Sequence, residues 1–416
     1  MRPSITLLPS PIVLLGCLIL GFGSPLRAET NTAKVSPLSL RDCIEAALVR
    51  NRILQIERLN PEIARLALSG AYGYYDPVIT TQVQRERDTD TGGFDPADFS
   101  RDAVYSADSE VASGSLSGFL PSGLSYSLSA NYAHSEGTRN LLGFDSYKLF
   151  TGISARQPLL RDFWTDQGRT EIRVSRKLLK ISEWGLVYVM MDTINQVQQA
   201  YHELQFAIDN LGVRQRLLEI KQATLAGVKR QVEIGTLTIL EEKLALSQVA
   251  RVQAELVAAS NTVQQAENVL KTLLGYTITN WNDSPLQPAE RLLVVPEPLE
   301  LAASWERGLE KRPDLAQMKE ELARAGIELR FRRNQLFPFL DVIAAYGRRG
   351  ASAMQTIPPI AAEASLSTAV DQIDDAAAPN QMVGIVLSTP LSRIRERAAH
   401  RASKQLKEQA VLRLEQ

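Results

Sequence analysis

The chain has 416 residues, of which 44% are hydrophobic but only 6% aromatic, and its 46 basic and 47 acidic side chains leave a formal net charge of −1. That balance argues against a nucleic-acid partner, because phosphate binding draws on clustered Lys and Arg. The two Cys and the three His (His134, His202, His400) lie too far apart for a zinc site or a disulfide framework, and an excess of Leu, Ala and Val over aromatics is the composition of long packed helices.

Residues 1–28 read as a secretory signal peptide. An apolar run from Ile12 to Phe22 follows Arg2 and precedes Leu26-Arg27-Ala28, with cleavage expected after Ala28. The run falls short of the ~20 residues that span a bilayer as a helix. Leu14-Leu15-Gly16-Cys17 also resembles a lipobox, which would make Cys17 an acylated anchor, yet apolar residues continue past Cys17 as they do inside an ordinary signal. With ordinary cleavage, Cys43 is the single thiol of the mature chain. No other segment is long and apolar enough to cross as a helix, so any membrane crossing must be made of strands.

A first structural unit is expected over residues 38–275. It opens with helical periodicity up to Pro77, interrupted by Pro61, which should kink or shorten the helix beginning near Ile53. Strands are expected within 78–157. Val78 to Arg87 alternates, and Ser109 to His134 reads as an added hairpin turning at Pro121-Ser122-Gly123, with Tyr126, Leu128, Ala130 and Tyr132 on one face. Tyr147, Leu149, Thr151, Ile153 and Ala155 then alternate with more polar neighbours. Gln157-Pro158-Leu159 marks a strand-to-helix junction, from which a long helical hairpin is expected over 159–274.

From Arg169 to about Val232 there is no proline, and Val187, Met190, Ile194, Val197, Tyr201, Leu204, Ile208 and Leu211 step by 3 and 4. The same steps recur from Val249 through Val252, Leu256, Ala259, Val263, Ala266 and Leu270 to Leu273. A sustained 3.5 spacing drives helices to pair lengthwise in a left-handed supercoil. Gly235 is the natural break, so the two stretches should form an antiparallel hairpin, its first arm roughly 95 Å long.

Residues 276–298, with Pro285, Pro288, Pro296 and Pro298, read as a connector. Beyond it the chain repeats itself. An offset of 261 places residues 38–77 on 299–338 without a gap, with eight identities in forty positions where chance gives two or three. A second match, at offset 232, sets Gln157-Pro158-Leu159 against Thr389-Pro390-Leu391. The second unit, 299–416, therefore has the same order: helix, Pro, strand (Phe339 to Gly347), strand (Met382 to Ser388), Pro390-Leu391 and a charged helix. If the copies were equal its hairpin tip would fall well past Gln416, so its long helix is expected to be cut short. Four strands, setting the added hairpin aside, are too few for a closed transmembrane barrel, which starts at about eight; three chains sharing one barrel would supply twelve.

Taken together these segments resemble the TolC-like outer membrane efflux protein family. Gln157-Pro158-Leu159-Leu160-Arg161 is similar to the family's strand-to-helix junction. Gln231-Val232-Glu233-Ile234-Gly235, followed by Thr238, Leu240 and Glu241, is similar to its hairpin tip, and Arg312-Pro313-Asp314-Leu315 to the break between the first two helices of a repeat. The resemblance covers nearly the whole chain after residue 37.

It implies an α+β membrane protein with two internal repeats, in which a long antiparallel coiled-coil α-helical barrel continues a shared outer-membrane β-barrel. It further implies a homotrimer that docks on a periplasmic adaptor protein and an inner-membrane transporter. Such a chain would be the passive duct of a tripartite efflux or type I secretion system, in the outer membrane with a long periplasmic part. Carried over by position, Ile234, Gly235, Thr236, Leu237 and Thr238 would form the adaptor-docking tip. The family's gating contacts belong to the second hairpin and have no counterpart here.

No catalytic constellation appears: Gly114-Ser115-Leu116-Ser117-Gly118 has Leu where a nucleophile elbow needs Ser, and there is no phosphate-binding glycine loop. No enzyme activity, cofactor or metal is therefore expected. The competing readings are a non-conducting periplasmic coiled-coil scaffold and a truncated, non-functional fragment of the channel.

Overall fold

A computed structural model describes residues 38–90, 92, 94, 95, 100, 101, 104–139, 142–277, 281, 285–290, 298, 300–354 and 363–416. The expected signal peptide and Cys17 lie outside them.

The first copy opens with α1 (Leu40–Arg50), whose N-terminus is closed by a reciprocal Ser39–Asp42 capping box. Asn51 ends it and caps α2 (Arg52–Glu57), accepting from the Leu54 amide. The chain breaks at Arg58 and restarts as α3 (Leu59–Tyr72), which places Pro61 in a first helical turn, where its missing N–H leaves no bond unmade. A short 3-10 turn (Gly73–Tyr75) leads into the strands.

These strands are β1 (Val78–Asp90), the two-residue pair β2 (Phe94–Asp95) and β3 (Ser100–Arg101), then β4 (Tyr105–Phe119), β5 (Ser125–Arg139) and β6 (Leu142–Pro158). The helical hairpin follows as α4 (Gln167–Glu233) and α5 (Ile239–Leu273). The second copy comprises α6 (Leu301–Lys311), α7 (Pro313–Asn334), β7 (Phe339–Ala353), α8 (Leu366–Asp374), β8 (Pro379–Ser388) and α9 (Ile394–Glu415).

The offset of 261 recurs in the structure. It carries the start of α1 onto that of α6, the cap at Asn51 onto Arg312, and the first residue of β1 onto the first of β7. The copies differ where Pro61 splits the first one, because its counterpart region in α7 runs unbroken for 22 residues.

At 67 residues α4 is about 100 Å long. Every other described helix before the connector packs on it, and so does α7. Its heptad positions divide the labour. Val197, Tyr201 and Leu204 are buried with Ala266, Leu270 and Leu274 of the returning arm, while Cys43 and Ala47 of α1 close the other side of this core. All eight heptad residues of α5 are at least half-buried. The Tyr201 hydroxyl donates to the Leu38 carbonyl and accepts from the Glu290 amide, which ties the segment around Pro288 to the start of α1. Nearer the tip, cross-hairpin pairs join Arg214 to Glu255 at 2.7 Å and Lys221 to Gln248 at 3.0 Å.

The sequence leaves open whether the hairpin at Ser109 to His134 joins the other four strands, and the sheet answers it. All six long strands form one antiparallel sheet in the order β1-β4-β5-β6-β7-β8, and the segment read as an added hairpin supplies its β4 and β5. The turn does fall at Pro121-Ser122-Gly123, where Gly123 adopts φ +87°. The hairpin joins because Leu116, Leu128 and Ile153 lie side by side in register, so excluding it would expose the apolar flanks of its neighbours. One correction concerns the helical hairpin: residues 159–166 are irregular, and α4 begins only at Gln167.

One face of the sheet is apolar toward its helix-proximal end: Ile79 and Val83, Leu116, Leu128, Ile153, then Val383, Ile385 and Leu387. The same face turns charged farther out, with Arg85, Arg87, Asp108 and Glu110 interacting across β1 and β4. The opposite face is rich in hydroxyls and amides, among them Thr80, Gln82, Ser113, Ser115, Ser127, Ser129, Asn131 and Ser154.

Replacing Leu204, which is fully buried, by Ala is expected to cost about 3 kcal/mol. A lowered temperature for loss of the helical far-ultraviolet signal checks this. Val213→Ala, at a mostly exposed position of the same helix, should leave that temperature nearly unchanged.

Candidate functional site: the hairpin tip and the sheet-to-helix junction

At the tip, α4 ends in a Schellman motif. The Thr236 amide donates to the Gln231 carbonyl at 2.8 Å and the Gly235 amide to Val232 at 3.0 Å. This closure requires a left-handed residue, and Gly235 supplies φ +78° with open space around its Cα. The Thr236 hydroxyl adds a second bond to the Gln231 carbonyl. Leu237 is half-buried in the turn. On the other arm the Glu241 carboxylate accepts from both the amide and the hydroxyl of Thr238, opening α5. Polar bonds thus fix the turn, while Ile234, Ile239, Leu240 and Leu244 remain outside it, Ile234 at 73% exposure. The result is a rigid turn with apolar side chains and no described element packed over them.

The first junction is a fastened knot. Gln157 donates through Nε2 to the carbonyls of Ser122 and Pro158, and the Leu159 amide donates to Leu340 of β7 at 2.8 Å. Pro158 is buried against the β4–β5 turn, where a Cβ on Gly123 would come within 2.5 Å of the Asp162 carbonyl oxygen. Arg156 pairs with the buried Asp341 across the β6–β7 pairing, and the Arg161 guanidinium lies 4.2 Å above the Phe339 ring. Asp162 itself is left-handed, at φ 65°. Its amide donates to Asn334, and its carboxylate accepts from Gln335, both at the end of α7.

Asp166 then caps α4 by accepting from the Arg169 amide, and its two oxygens accept from the Tyr75 hydroxyl, each at 2.8 Å. Burial and this bond push the Tyr75 ionisation well up. Gly168 follows because a Cβ there would collide with the Tyr74 ring. The spacing of Gln157-Pro158-Leu159 locates this knot; it does not reveal Tyr75, Asp162 or Asp166, nor that the turn residue Gly123 packs against the junction, since these roles depend on segments far apart in the chain. A Trp164-Thr165-Asp166 run ahead of a proline-free helix was the one available signal, Asp being a favoured N-cap.

The second junction is different. Pro390 is exposed and Leu391 fully so, at 100%. Among the described residues this segment is held by Arg393, which donates to the Leu336 carbonyl and to Thr389, and by the ion pair of Glu396 with Arg161. The tip lies at one end of α4 and the two junctions at the other, where the end of α7 bonds both and Arg161 of the first comes within 3.9 Å of Glu396, just past the second. Among the described residues no cluster of His, Cys, Asp or Glu is arranged to hold a metal ion, and no helix is long and apolar enough to cross a membrane.

A model of the family described as "Outer membrane efflux protein" matches residues 117–276. That stretch takes in β5, β6, the first junction and the whole α4–α5 hairpin. The pyoverdine export outer membrane protein OpmQ of Pseudomonas aeruginosa is 24% identical over 223 residues, covering 52% of this chain and 44% of OpmQ. The match thus spans under half the length of that relative. Among solved structures, the outer membrane channel CmeC of Campylobacter jejuni superposes with a TM-score of 0.59 at 14% identity, covering 90% of this chain and 66% of CmeC. The outer membrane protein VceC of Vibrio cholerae gives 0.58 at 15%, covering 90% and 74%. The chain resembles the outer membrane efflux proteins in sequence and has the fold of these channels.

Burial raises the Asp162 carboxyl above the usual range, against the lowering effect of the Gln335 bond. A raised carboxyl pKa means that the ionised form costs stability at neutral pH, a cost that disappears as pH falls below the unfolded value near 4. Asp162→Asn keeps an acceptor for Gln335 and a residue suited to the left-handed region. It is expected to raise the melting temperature at pH 7 and to leave it unchanged at pH 3.5, as read by thermal scans at both pH values.

Proposed function

We propose that this chain, with the fold of the outer membrane efflux channels, is the outer-membrane channel-tunnel component of an export system and works as a passive homotrimeric duct. The observation that carries this reading is the sheet. Its helix-proximal half presents an apolar band on one face and hydroxyl and amide side chains on the other, the alternation of a strand with lipid outside and water inside. Six strands still cannot close into a barrel alone, so several copies must share one. The helices then extend about 100 Å from the barrel mouth, which suits a periplasmic tunnel, and energy for transport comes from a partner.

The tip supports a docking role within this reading. A turn held by its own hydrogen bonds, with Ile234, Ile239 and Leu240 exposed, offers knobs to a partner hairpin of the periplasmic adaptor class at little ordering cost. The inner-membrane transporter would stand beyond that adaptor. We propose in the same terms residues 38–275 and 299–416 as two repeats around the connector 276–298. The rival reading, a non-conducting coiled-coil scaffold, accounts for the α4–α5 hairpin but gives no role to an apolar sheet face.

Purified protein in lipid bilayers is expected to run as a heat-modifiable trimer and to pass ions; a monomer with no conductance overturns the duct. Gly235→Val forces a β-branched residue into φ +78°. It is expected to cut adaptor cross-linking at the tip several-fold while trimer mobility is unchanged, and equal cross-linking by the variant counts against docking.

A further inference from the structure

The apolar face of the sheet has a gap in its middle. Register partners form rows across that face, and the row of Ile79, Leu116, Leu128, Ile153 and Tyr346 is bulky throughout. In the next two rows outward the central positions become small. Gly114 and Ala130 stand between Thr81 and Thr151, and Ala112 stands between Val83 and Tyr132. A Cβ on Gly114 would meet only open space. The result is a recess of about 560 Å³, walled by Val83, Tyr132 and Leu149 and, on its far side, by Val370 and Ile373 of α8.

That far wall is built into the sheet. A Cβ on Gly350 would collide with the Ala369 carbonyl, so the glycine lets α8 seat directly on β7, and Ala369 is fully buried there. Arg348, on the same face, donates to the carbonyls of Ile373 and Asp374, and the Ala351 amide at the edge of β7 donates to the Gln372 side chain. Leu366 and Val370, one helical turn apart, stay partly exposed above the recess.

The row just outside the recess changes chemistry. Arg85, Glu110, His134 and Tyr147 stand side by side in it. His134 stacks on the Tyr147 ring at 4.2 Å and meets Asp145 at 2.9 Å, and Tyr132 lies beneath. Aromatic rings at one level of a lipid-facing sheet mark the membrane–water interface. Both nitrogens of Arg87 engaged there bond Asp108. Arg85 is looser, 3.5 Å from Glu110 and 3.7 Å from Asp108, with its side chain 64% exposed.

We propose that the recess holds one acyl chain of a phosphorylated glycolipid whose headgroup lies on the Arg85–Glu110 row. This rests on the reading above that the apolar face meets lipid. An apolar void in a bilayer forfeits dispersion contacts unless a chain fills it. At ~30 Å³ per water-sized group the space takes on the order of eighteen such groups, about one long acyl chain. The chain enters from the charged row and runs toward Leu116 and Leu128, the direction a lipid tail takes from the interface to the bilayer centre. The headgroup follows from the mixed charge of the row. Arg85 offers a guanidinium fork to a phosphate. Glu110 beside it repels a second anion and accepts hydrogen bonds from sugar hydroxyls, so a headgroup of phosphate alone meets the repulsion without the bonds.

The test uses the full chain purified in detergent, with native mass spectrometry as the readout and heat-modifiable mobility as the control for folding. Lipid A, phosphatidic acid and phosphatidylethanolamine are offered singly. Lipid A is expected to stay bound at one per chain, retained several-fold better than the other two. Gly114→Leu, which fills the recess, and Val370→Asp, which charges its wall from a partly exposed position, are each expected to cut that retention several-fold. Arg85→Gln is expected to remove the preference for lipid A while tail binding persists. Equal retention by the unaltered chain and both recess variants overturns the inference, and equal retention of either phospholipid overturns the glycolipid assignment. A protein that conducts ions in bilayers but holds no lipid overturns this inference alone; one that never enters a bilayer overturns the duct as well.

Discussion

The lengthwise packing of α4 is the contact on which the remaining structure depends. A helix of this length has no compact core to wrap, so its stability must come from a narrow stripe repeated along the axis. The stripe changes partners as it goes. Near the sheet it meets α3 and α7, at mid-length it meets α1 and the far end of α5, and toward the tip it meets α5 alone. Small side chains such as Ala200, Ala207, Ala259 and Ala266 are buried along it, which lets neighbouring backbones approach closely. Aliphatic richness with few aromatics is what such a seam requires, and the balanced charge belongs to its solvated flanks.

The second constraint is the change of period at the junction. A strand repeats every two residues and the helix every 3.5, so a side chain directed inward on one is not carried inward on the other. The protein resolves this with residues 159–166, an irregular stretch that includes two left-handed residues, Asp162 and Trp164. Its backbone groups are met by Leu340, Asn334 and Ser122, contributed by three other segments. The knot thus holds the sheet, α7 and α4 in one geometry, and Asp166 with Tyr75 adds the end of α3.

Much of this was legible in the residues. Heptad spacing gave α4 and α5 because a packing stripe must show itself as periodicity, and Gly235 marked the turn because no other residue takes φ +78° without strain. Pro61 marked a break, and the offset of 261 recovered the starts of both α6 and β7. What escaped has a common cause. Whether β4 and β5 join the sheet depends on pairings with β1 and β6 whose register periodicity alone does not show, as when Leu128 lies beside both Leu116 and Ile153. The eight irregular residues after Pro158 carry apolar side chains that mimic a helix start. α8 was not anticipated either: it is short and set among Ala and Asp, and its place is fixed by the edge of β7 that it covers.

The stretch of the α4–α5 hairpin beyond α1 has a mechanical meaning. Beyond the core around Tyr201 the hairpin continues for some thirty residues with no third described element against it, a free arm of about 50 Å. Its fulcrum is the polar cluster where Tyr201 and Gln205 of α4 hold the segment around Glu290. A rotation of about 5° at that point would carry the tip through about 4 Å, roughly four-fifths of a helical turn.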